Sequence, residues 1–195
     1  LADLGFASAQ YHLAMVIKED SGHSYQSYLV RAAEQGHLKA AQQLVLHPRS
    51  REEKLRWLPI AAEGGMAAAE YQMYLELLKS NPGVQSSKTA RDWLIKAANN
   101  DHASAQYELG RHYINGYSML KIEKDSAKAR QWWERAVGNG EGQAIAELIW
   151  RYEKGAQGFP HDPQRAFELL NLAGDSYQHG RNGLAQNTQL ATEKR

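Results

Sequence analysis

Apolar and small residues recur along the chain at helical spacing, and the same pattern repeats at intervals of 29, 36, 39 and 37 residues. Each copy opens with a small residue at Ala32, Ala61, Ala97, Ala136 or Ala173. Four residues on stand Gly36, Gly65, Asp101 and Gly140, and Gly5 holds the same place behind Leu1-Ala2. Glycine there reads as a helix stop, because it enters the left-handed region without steric cost. Beyond each stop come small or apolar residues such as Ala7/Ala9, Leu38/Ala40, Ala67/Ala69, Ala103/Ala105 and Gly142/Ala144. Leu13, Leu44, Met73, Leu109 and Leu148 follow eight residues after the stop. This spacing predicts one helix starting just past each stop, with a single apolar stripe.

A second helix in each copy ends at the small pair. Its stripe is Tyr28-Leu29, Trp57-Leu58, Trp93-Leu94, Trp132-Trp133 and Leu169-Leu170, one turn before the small residue. Eleven residues before the pair stand Ser21, Ser50, Ser86, Asp125 and Asp162. All are N-cap types, and each cap is worth about 1 kcal/mol. Ser50 and Glu53 have capping-box spacing, and Pro163 follows Asp162 at the first helical position. Pro59 falls inside one second helix and is expected to kink it. Ala and Gly in the contact rows let helices approach closely, leaving grooves for aromatic rings.

A single helix pair of this kind cannot bury its apolar stripe, so the units must stack. The expected fold is all-α, a right-handed superhelical α-solenoid of about five antiparallel helix-pair repeats. The units span about 5–35, 36–64, 65–100, 101–139 and 140–174. Residues 175–195 form a C-terminal capping helix or tail, in which Leu184 to Lys194 either cap the stack or start a further unit. The opening residues read as the end of a helix whose earlier part lies upstream.

Composition agrees with helices. The 195 residues include 28 Ala and 21 Leu against 15 Val, Ile and Thr together, and β-branched residues are what sheets favour. The net charge is +1 and basic residues are scattered, which argues against a nucleic-acid surface. The mean hydropathy is −0.64, and no apolar run is long enough to cross a bilayer. The absence of Cys excludes disulfides, thiolate metal sites and a thiol nucleophile.

At this point the residues resemble a known family, the Sel-one-like repeats, relatives of the tetratricopeptide repeats. The resemblance is carried by Ala105-Gln106-Tyr107-Glu108-Leu109-Gly110, Tyr113, Gly116, Lys128-Ala129, Trp132-Trp133 and Ala136, and by Leu148, Tyr152, Gly155, Arg165-Ala166 and Ala173. It extends to Ala69-Glu70-Tyr71, Ala9-Gln10-Tyr11-His12-Leu13 and Ala32-Ala33-Glu34-Gln35-Gly36. It covers residues 1–174. The second unit departs most, lacking the long inter-helix connection. The resemblance implies a non-enzymatic protein-binding scaffold or adaptor, commonly bacterial. Its expected settings are envelope, secretion and signalling assemblies, with the periplasm or outer membrane favoured over the cytoplasm.

No residues in the chain have the spacing of a metal site, a nucleophile elbow or a phosphate loop. Glu19-Asp20 and Glu52-Glu53 lie near helix ends and read as surface charges. His37 and His102, one past their stops, read as first-turn surface residues. No cofactor, metal or catalytic residue is expected. Trp57, Trp93, Trp132 and Trp133 sit at the packing phase and read as core.

The first helices carry the candidate binding residues. By the tetratricopeptide analogy their inward rows line a concave groove. One row is Met15, Leu46, Leu75, Arg111 and Trp150, apolar except for the arginine. A second is Tyr11, Gln42, Tyr71, Tyr107 and Ala146. A third, His12, Gln43, Gln72, Glu108 and Glu147, turns acidic toward the C-terminal end. Exposed apolar rows tend to mark partner sites, so the expected partner is another protein, bound as a peptide or helix. The inter-helix loops 115–124 and 154–161 are the next candidates. Other readings stay open: a regulatory repeat domain of a larger enzyme, a cell-wall or carbohydrate-active hydrolase, and a toxin-neutralising immunity protein.

Overall fold

The computed structural model describes residues 6–18, 24–79 and 84–178. Ser21, Glu19-Asp20, the opening stop at Gly5 and the tail beyond residue 178 lie outside them. The described residues form ten α-helices and one short 3-10 turn: α1 (Ala7–Ile17), α2 (Ser24–Glu34), α3 (Leu38–Leu46), α4 (Arg51–Glu63), α5 (Ala67–Lys79), α6 (Val84–Asn99), α7 (Ala103–Asn115), the turn Ser118–Leu120, α8 (Ser126–Gly138), α9 (Gly142–Lys154) and α10 (Pro163–Gln178). No strand occurs among these residues, and one isolated antiparallel bridge joins Tyr117 to Ile122. The architecture is an α-solenoid of helix pairs, and each helix packs on its neighbours in sequence within two compact units, residues 1–81 and 82–195. The boundary falls between α5 and α6, inside the third pair.

The stops work as the pattern implies. Gly36, Gly65 and Gly140 have φ between 77° and 86°, and Asp101 has φ 60°. At each stop the small pair supplies the acceptors. The N–H of His37 donates to the Ala32 carbonyl at 3.0 Å, and that of Gly36 to the Ala33 carbonyl at 2.9 Å. The same paired bonds end α4 on Ala61 and Ala62, α6 on Ala97 and Ala98, and α8 on Ala136 and Val137. Those alanines are also buried in the contact rows.

Three of the expected second-helix caps lie in the described residues and form. Ser50 accepts from the Glu53 N–H at 3.1 Å, Asp125 from Lys128 at 2.9 Å and Asp162 from Arg165 at 2.9 Å. The Glu53 carboxylate takes the N–H of Arg49 at 2.7 Å and pairs with its guanidinium, so the box closes one residue earlier than expected. Ser86 is a correction: α6 already begins at Val84, so this serine lies within the helix. α4 runs from Arg51 to Glu63 with Pro59 inside it. Pro59 has no N–H for the carbonyl of Leu55, a residue that is itself exposed at the helix surface.

Trp57 and Trp133 are core residues. Trp93 and Trp132 are half-buried, against expectation. The Lys96 ammonium sits 4.2 Å from the Trp93 ring centroid, and the Arg135 guanidinium 4.8 Å from that of Trp132. Long cationic side chains, with their apolar stems, cover the outer faces of these indoles.

Candidate functional site

In the first unit, the candidate residues lie on α1, α3 and α5. Tyr11 and Met15 are one turn apart on α1 and both are half-buried. The Tyr11 ring stacks on the imidazole of His37 with centroids 4.6 Å apart, tying α1 to the start of α3. On α3, Gln42 is half-buried and donates a long bond of 3.4 Å to the Gly64 carbonyl, while Leu46 is 53% exposed. On α5, Tyr71 lies 5.8 Å from the Tyr74 ring, and Leu75 is half-buried. Gln72 of the third row donates to Glu76 at 2.7 Å.

In the second unit the candidates are Tyr107 and Arg111 on α7 and Trp150 on α9. The exposed Arg111 pairs with Glu108 at 2.8 Å, and its guanidinium lies 5.9 Å from the Tyr107 ring. Burial first, and the Glu147 carboxylate next, push the Tyr107 phenol above its ordinary pKa. Trp150 is 45% exposed. Tyr107 and Trp150 are joined through two buried groups. The Trp133 indole lies 6.4 Å from Tyr107, the Arg151 guanidinium 4.5 Å from Trp133, and the same guanidinium 5.1 Å from Trp150.

Arg151 escaped the sequence reading. A charged residue on a first helix reads as solvated, yet this one is buried. It pairs with Glu147, donates to Gln157 at 3.1 Å and lies among Trp133, Trp150 and Phe159. Its Nε is buried with no acceptor. The only sequence signal was the Glu147–Arg151 spacing of one helical turn.

His37 and His102 are also corrections. Both are half-buried N-caps and not simple surface residues: Nδ1 of each accepts a first-turn N–H at 3.3 Å, from Ala40 and from Ala105. Burial lowers the pKa of both.

The loop after α7 folds back through mutual bonds between Tyr117 and Ile122, of 2.8 and 3.1 Å, and buries Leu120. An open depression of about 470 Å³ lies beside it, lined by Asn115, Tyr117, Lys121 and Glu123. The loop after α9 buries Phe159. Among the described residues no group of three or more His, Asp and Glu side chains is placed to hold a metal ion. None of the described helices is long and apolar enough to cross a membrane.

The sites thus consist of aromatic and aliphatic side chains on first helices, and in the second unit carboxylates held by Arg111 and Arg151 lie beside them. Comparison with known proteins agrees with such a scaffold. The Sel1 repeat model matches residues 67–102, 103–141, 144–176 and 170–193. No curated protein matches the chain. Among solved structures, a Sel1 repeat protein from Oxalobacter formigenes is similar over 90% of this chain and 75% of its own, with 28% identity and a TM-score of 0.66. A protective antigen of uropathogenic Escherichia coli with an SLR fold is similar over the whole of this chain and 43% of its own, with 22% identity and a TM-score of 0.69. Proteins of this kind are generally interaction scaffolds and typically non-catalytic. The chain belongs to the Sel1 repeat family.

Proposed function

We propose that the chain is a non-enzymatic adaptor that binds a peptide or helix of another protein on the faces of its first helices. In the first unit these faces carry Tyr11, Met15, Gln42, Leu46, Tyr71 and Leu75. In the second they carry Tyr107, Arg111 and Trp150. The observation that supports this reading most is the exposure of Leu46 and Trp150, which hold the same register position on α3 and α9. Large apolar side chains at one register position of packed helix pairs suit partner binding with little reordering within each unit. The setting proposed is a bacterial envelope, secretion or signalling assembly, with the periplasm favoured. The bacterial sources of the similar solved structures support the bacterial part of this reading.

The test is affinity capture from a bacterial envelope extract, followed by titration of the captured protein. Leu46→Glu, Leu75→Glu, Tyr107→Ala and Trp150→Glu should each weaken binding at least tenfold. Phe167→Glu, on an exposed α10 site outside the rows, should leave it unchanged. Equal affinity for all five variants would exclude these faces.

A further inference from the structure

Helices α3 and α7 start at equivalent points, and the N-cap of each, one residue past its stop, is a histidine. The equivalent positions before α1, α5 and α9 hold Phe6, Met66 and Glu141, so the helix pair does not itself demand histidine there. His37 Nδ1 accepts from Ala40 N–H, and His102 Nδ1 from Ala105 N–H, each at 3.3 Å. An imidazole nitrogen accepts only while it carries no proton. Protonation turns that acceptor into a donor aimed at another donor. It also sets a positive charge at the positive end of the helix dipole. Both effects act against the folded first turn.

The surroundings reinforce this for His37 and partly oppose it for His102. His37 faces the Tyr11 ring of α1, and burial first, then its neighbours His12 and Lys39, disfavour its protonation. A hydrogen bond to its own backbone acts the other way. Around His102, burial disfavours the charged form, while the Glu141 carboxylate at the start of α9 favours it. That carboxylate is engaged by the Ser104 hydroxyl at 2.9 Å. The adjacent Asp101 is engaged by Arg135 at 2.9 Å.

We propose that His37 and His102 are acid-sensitive helix caps, one in each compact unit, whose protonation releases the first turns of α3 and α7. The release occurs on the helices that carry Gln42, Leu46, Tyr107 and Arg111, so mild acid loosens those faces. The neutral form is favoured in the fold, so the unfolded chain binds more protons below about pH 6.5. The cap contribution is therefore complete above that pH and is lost as pH falls through the folded-state values. The proposal does not depend on any partner.

The experiment uses the whole chain. Amide exchange at Ala40 and Ala105, corrected for intrinsic rates, is followed from pH 7.5 to 5.0 in wild type and in His37→Asn/His102→Asn. Asn caps well and does not titrate. In the wild type both amides should lose about fivefold protection on acidification, the population change that a lost cap corresponds to. In the double variant they should hold it. Nitrogen-15 spectra of the wild type at pH 7.5 should show both rings protonated on Nε2 alone. Equal acid-induced loss in the two proteins, or a proton on Nδ1 at pH 7.5, overturns the proposal.

Discussion

The indole of Trp133 lies where any side chain on Gly110 would have to be. A Cβ at that position would fall 2.5 Å from Cδ1 and Nε1 of the ring. The same Nε1 donates to the Tyr107 carbonyl at 3.0 Å, three residues earlier on α7. Glycine thus lets α8 close onto α7, with the Trp133 side chain anchored to the α7 backbone. Gly110→Ala should cost about 1–3 kcal/mol through overpacking, less about 1 kcal/mol of helix propensity regained. Gly138, with nothing within 4 Å of its Cβ position, is the control. Gly138→Ala should be neutral or slightly stabilising. Urea denaturation midpoints check both, and a Gly110→Ala chain as stable as its parent would refute the packing account.

Arg151 makes the second prediction. Its guanidinium fills the space among Trp133, Trp150 and Phe159 and pairs with Glu147. Arg151→Ala opens a cavity beside Trp133, while Glu147, already partly exposed, regains water. The expected loss is about 2–3 kcal/mol, mostly packing. Arg151→Lys should recover only part of it, because an ammonium lacks the planar faces that lie on the rings. Denaturation curves measure the loss, and tryptophan emission should shift to longer wavelength in Arg151→Ala as the cluster opens.

A buried amide ties three helices of the second unit together. Gln106 donates to the Ala98 carbonyl at 2.9 Å and to Asp101 at 3.1 Å, and accepts from Asn139 at 2.9 Å. Gln106→Leu has the right bulk but leaves these partners unmatched, at an expected cost of about 1–3 kcal/mol. Ala98→Gly, which keeps the carbonyl, should not share that polar term. A double-mutant cycle between Gln106→Leu and Asn139→Ala should show coupling, and simple additivity would mean the bond contributes nothing.

His112 should resist protonation. Burial, and then the charge of Arg111, push it down to about 4. Its ring stacks on Tyr117 with centroids 4.4 Å apart. The folded pKa lies below the unfolded value, so this residue's contribution to stability is present above about pH 6.5. It is lost as pH falls through about 4. A proton-NMR titration should find the ring neutral at pH 5, and a midpoint near 6.5 would contradict the packing around it.

Much of the fold was legible because backbone chemistry writes itself into the chain. The stops at Gly36, Gly65 and Gly140 need left-handed backbone, and the caps at Ser50, Asp125 and Asp162 need a short oxygen-bearing side chain. Ser86 misled because such residues also occur inside first turns, and the start at Val84 has no comparable mark. Trp93 and Trp132 misled for another reason. Periodicity assigns a face to a residue, but it does not say how far a neighbour covers a wide ring. The placement of the candidate aromatic and aliphatic residues on first helices was legible from their register. Buried Arg151 was not, because its burial follows from Trp133 and Phe159, residues outside its own helix. The histidine caps were hidden by composition rules that reserve that position for smaller side chains.

Asp101 carries a consequence for how such an array can change. At Gly36, Gly65 and Gly140 a Cβ would meet nothing within 4 Å, so only backbone shape is at stake there. At Asp101 the left-handed turn also holds Arg135 at 2.9 Å, Gln106 at 3.1 Å and Asn139 at 3.4 Å. A segment excised or duplicated at a glycine stop takes its junction with it. One cut at Asp101 leaves its tethers behind on α7 and α8. Repeats that look interchangeable by helix count are therefore not equally transplantable, and recombination at this seam requires those three side chains to move together.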